Sequence, residues 1–173
     1  EEFVQRSGVM AYVEKEHVRD VAMSLRIWEE SRGGFAGSTD IPVIRQTAVQ
    51  PGPVTLLNVP VKRDVGRTML RVYHVADQPA EAVVVVRVFE LDGSVPLHEI
   101  VLTLANDLRL RWEFPRLPGY AELADLEQLP ALAGLDRVRI EIEPLTEGAR
   151  IWAFASVTDN VTQHVTISTP QPQ

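Results

Sequence analysis

The sequence predicts an all-β protein folded as a two-sheet antiparallel sandwich, and three observations carry that expectation. Apolar and polar residues alternate with period two in many separate segments, a spacing that sets one face of a strand on a core and the other in water. Turn-forming pairs fall between those segments where hairpins need them. The connections lack the regularly spaced helices that a parallel α/β sheet requires, which favours a sandwich of immunoglobulin-like or jelly-roll-like type.

Taken in chain order, the pattern predicts strands over residues 24–28, 54–59, 69–75, 82–91 and 98–104. The clearest alternation follows, with Leu108, Leu110, Trp112 and Phe114 set against Arg109, Arg111 and Glu113. Val138, Ile140 and Ile142 alternate in the same way with Arg139, Glu141 and Glu143, and further strands are expected over 151–158 and 165–168. Asp92-Gly93 and Asp159-Asn160 are the hairpin turns. Pro42, Pro60, Pro96 and Pro115 stand at strand beginnings or ends, where a missing backbone donor harms a ladder least. The stretch 32–39, holding Gly33, Gly34 and Gly37, reads as a loop. One segment departs from period two: Tyr120, Leu123, Leu126 and Leu129 recur every three residues between Gly119 and Pro130. That spacing predicts one short helix near 120–129, capping an end of the sandwich.

The totals fit a single domain spanning 1–173, since 173 residues with 45% hydrophobic and 24% charged composition can bury one substantial core. No apolar run approaches the roughly 20 residues a membrane helix needs. A formal charge of −7 with arginines spread along the chain repels phosphate backbones, so nucleic acid is not an expected partner. Without cysteine the chain has no disulfide, thiolate nucleophile or thiolate metal site. Of the 17 basic residues only Lys15 and Lys62 are lysine, a bias expected of a GC-rich bacterial genome. The start at Glu1-Glu2-Phe3, with no initiator Met, reads as a fragment or processed form of a longer protein.

Reactive chemistry finds little support in the residues. His17, His74, His98 and His164 lie far apart without paired metal-ligand spacing, and read as surface or edge residues. Ser7 and Ser156 lack the context of a nucleophile elbow. The acid pairs Glu14/Glu16, Glu29/Glu30 and Glu141/Glu143 are spaced to share one outer strand face, whereas a glycosidase needs carboxylates opposed across a cleft. Arg109/Arg111 and Arg137/Arg139 follow the same logic. No catalytic residue, metal site or cofactor is expected. Aromatic rings offer the alternative, because exposed rings on a sandwich can stack on sugars. Trp28, Phe35 and Tyr73 are the candidate ligand-binding residues, Trp28 and Tyr73 being out of phase with the core positions Leu25/Ile27 and Leu70/Val72. Trp112 and Trp152 read as core. Asn160-Val161-Thr162 matches a glycosylation acceptor but reads as a turn entering a strand.

The stretch from Ile151 to Thr162, reading I-W-A-F-A-S-V-T-D-N-V-T, resembles a terminal signature W-A-[YF]-A-S-V-x-[DN]-N-x-T. That signature belongs to β-sandwich modules of secreted multidomain bacterial proteins. Arg67-Thr68-Met69-Leu70 is similar to their R-T-N-L strand, and Phe89-Glu90-Leu91-Asp92-Gly93 to their hairpin, in the same order along the chain. The Gly33–Gly37 loop followed by Ile41-Pro42 is similar to their G-G-T-[FY]-G…I-P segment. Met69 departs from the usual Asn, and Gln163-His164 from the usual Gly-Asp. The resemblance implies the fold, export to a bacterial surface or secreted setting, and an accessory role without catalytic residues. The expected function is a non-catalytic extracytoplasmic module with a structural, spacer or interaction role, and the alternative is a carbohydrate- or peptide-binding module. Other domains of the parent protein or a second copy are the expected partners, since 83–86 is apolar on both strand faces.

Overall fold

The structure, a computed structural model, describes residues 13–14, 16–17, 19–27, 39–75, 81–105 and 119–170. Its strands are β1 (Leu25–Ile27), β2 (Thr39–Ile41), β3 (Val54–Pro60), β4 (Gly66–His74), β5 (Ala82–Phe89), β6 (His98–Leu104), β7 (Gly119–Leu123), β8 (Arg137–Pro144), β9 (Ile151–Asp159) and β10 (Val165–Ser168). Every pairing between them is antiparallel. One sheet runs β10-β9-β4-β7 and the other β3-β8-β5-β6, with β1-β2 as a separate ribbon. The β5–β6 and β9–β10 hairpins stay within a sheet, while the chain changes sheet at each other step from β3 onward. This is the expected all-β sandwich.

Alternation explains why these segments pair as they do. On β4, Gly66, Thr68, Leu70, Val72 and His74 are buried while the intervening residues face outward. On β8, Val138, Ile140 and Ile142 point inward between Arg137, Arg139, Glu141 and Glu143. Leu70 and Val72 from one sheet and Val84, Val86 and Ile140 from the other belong to a single core and are fully buried. Each such side chain contributes roughly 1.5–3 kcal/mol of transfer free energy.

Leu56 and Val59 are both fully buried although three residues apart, which a regular strand would not allow. Leu56 pairs with Ile140 and Val59 with Val138, so Leu57 and Asn58 together oppose Arg139 as a β-bulge. Asn58 takes a left-handed φ of 57°, a conformation Asn tolerates better than branched residues, and the bulge returns Val59 to the core face.

The helix expected near 120–129 does not form. Tyr73 pairs with Tyr120 and Arg71 with Glu122, so Gly119–Leu123 is the outer strand β7, with Ala121 and Leu123 packed on the core. Asp125 then turns left-handed at φ 53°, and two single 3-10 turns follow over Leu126–Gln128 and Pro130–Leu132. The three-residue recurrence mixes two environments: Tyr120 faces outward from β7 beside Tyr73, while Leu123 of the strand and Leu126 and Leu129 of the turns after it reach the core. The expected strand at 108–114, with Trp112, lies outside the described residues. β2 is three residues long and ends just before Pro42, one of the prolines expected at a strand boundary.

Candidate ligand-contact face

The outer face of the β10-β9-β4-β7 sheet carries a row of aromatic rings. The β4 register sets Tyr73 beside Trp152 of β9 on one side and Tyr120 of β7 on the other. Ring centroids lie 5.7 Å from Tyr73 to Trp152 and 6.0 Å from Tyr73 to Tyr120. Phe154, two residues along β9, stands 6.2 Å from Tyr73 and 5.3 Å from Trp152. Tyr73 is near-parallel to Phe154 at 17° and to Tyr120 at 27°, so ring faces are satisfied largely within the row. Burial pushes the Tyr73 phenol above its ordinary pKa. Arg71, next along β4, donates from Nε to Glu122 at 2.9 Å and bounds the row.

Of the candidate binding residues, Tyr73 is on the outward face that its phase predicted, and Trp28 and Phe35 lie outside the described residues. Trp152 is corrected: it is half-buried on the face opposite the core, because Ile151, Ala153 and Ala155 of β9 point inward. Tyr120 and Phe154 were missed. For Phe154 and Trp152 the signal was present as the second phase of the same period-two pattern. For Tyr120 the helical reading concealed it.

The outer face of the other sheet is charged and internally paired. Arg87 on β5 donates from Nε to Glu99 on β6 at 2.6 Å and from Nη1 to Glu143 on β8 at 2.5 Å. Arg139 bonds Glu141 at 3.0 Å and sends its two Nη groups to the carbonyls of Leu91 and Gly93, both at 2.9 Å. The same guanidinium lies 4.6 Å over the Phe89 ring, so Arg139 clamps the β5–β6 turn besides being a surface charge. Glu141 and Glu143 share one outer face as their spacing implies. An open depression of about 550 Å³ on this face is lined by Thr55, Arg87, Glu141, Glu143 and neighbouring backbone. Its charged groups are those already tied into ion pairs.

Other acids and bases also pair locally. Arg26 holds Asp40 at 2.7 Å, and that hydrogen bond keeps the Asp40 carboxyl below its ordinary pKa. Glu14 and Glu16 were expected on a strand, but residues 16–17 form a turn in which the His17 N–H donates to the Glu14 carbonyl. Glu14, Glu16 and His17 are the metal-ligating types that meet in a group of three among the described residues, and all three are exposed. His74 also departs from expectation: it sits buried at the end of β4, in the inward phase, rather than at the surface. Ser156 faces outward on β9 between Met69 and Ile167. The glycine-rich loop at 33–37 and the acid pair Glu29/Glu30 lie outside the described residues. No family model matches the chain, and no curated protein or solved structure matches it.

Proposed function

We propose that the chain is a non-catalytic, extracytoplasmic β-sandwich module of a bacterial protein, serving a structural, spacer or interaction role. The observation that carries this reading is the disposal of charge. Arg71, Arg87 and Arg139 each bond a carboxylate on the outer face of a sheet, on the same strand or a neighbouring one. Such pairs are spread over flat faces, whereas an acid–base site needs groups converging on one cleft with separated pKa values. The terminal signature from Ile151 to Thr162 supports the secreted or cell-surface setting. A broad hydrolase and transferase screen on concentrated protein tests it. Silence is expected, and turnover abolished by substitution of Arg87 or Glu143 would refute it.

The aromatic row favours a second reading, a carbohydrate- or peptide-binding module centred on Tyr73 with Trp152 and Tyr120. Titration of tryptophan fluorescence with soluble polysaccharides distinguishes the two. A saturable change lost in Tyr73→Ala supports ligand binding, and a flat response supports the structural role.

A further inference from the structure

We draw no further inference here: the strongest candidate, the row of Tyr73, Tyr120, Trp152 and Phe154 on the outer face of the β10-β9-β4-β7 sheet, belongs to the ligand-contact face already described, and nothing in the structure shows what covers it.

Discussion

The carboxylate of Glu127 accepts the backbone N–H of Thr68 at 2.8 Å, reaching it from a 3-10 turn 59 residues further along the chain. β7 covers β4 from Leu70 to His74 and stops there, because Asp125 turns left-handed and ends the strand. Thr68 would then keep a buried N–H without a strand partner, and Glu127 supplies the missing acceptor. Glu127 is only 2% exposed, while the Thr68 hydroxyl donates to the Pro60 carbonyl at 2.7 Å. One residue thus joins the end of β3, the middle of β4 and the β7–β8 connection. A buried carboxylate, which would look like a reactive group if seen alone, completes a ladder.

Glu127→Ala is therefore expected to lower stability by about 1–3 kcal/mol, the cost of stranding a buried donor. Glu127→Gln keeps an acceptor oxygen and should cost less. Urea unfolding of the variants measures the difference, and equal effects would show that the acceptor is not what matters.

The bulge in β3 makes a prediction of opposite kind for an exposed residue. Asn58→Val forces a β-branched side chain into φ 57° and is expected to cost about 1–2 kcal/mol, whereas Asn58→Gly should be near neutral. Chemical denaturation reads both. Leu56→Ala on the same strand, which empties a fully buried position, sets the scale at about 2–5 kcal/mol.

Asp159 contributes to the acid side of the stability curve through the β9–β10 turn. Its Oδ1 accepts the Thr162 N–H at 2.6 Å, the Thr162 hydroxyl at 2.9 Å and the Val161 N–H at 2.9 Å, with the Thr162 N–H the largest influence holding the carboxyl below its ordinary 3.8. A carboxyl depressed on folding stabilises the native state above its unfolded pKa, and that contribution disappears as pH falls through the lower native value. Urea midpoints are expected to fall below about pH 4 less steeply in Asp159→Asn than in the parent. Identical slopes would show that the turn does not bind the charge.

Much of this fold is legible in the sequence because period two survives wherever one strand face is buried. Val138, Ile140 and Ile142 could be read directly, as could the turn at Asp92-Gly93. What the pattern hid has physical causes. Leu56 and Val59 keep the core face only through a bulge, whose trace in the sequence is an irregular spacing of three. Tyr120, Leu123, Leu126 and Leu129 mimic a helix because a strand and a turn abut at Asp125. Trp152 reads as core by its size, yet phase alone sets it on the outer face with Tyr73. Glu127 carries no local signal, since its partner is a backbone group on another strand.

Amide hydrogen exchange resolved by residue, in the parent and in Ile140→Ala, tests most directly whether both sheets close on one core. Ile140 lies on β8, and with a shared core its truncation should lower protection of β4 and β9 amides as much as that of β5 and β8 amides. Loss of protection confined to β3, β5, β6 and β8, with β4 and β9 unchanged, would contradict a single core.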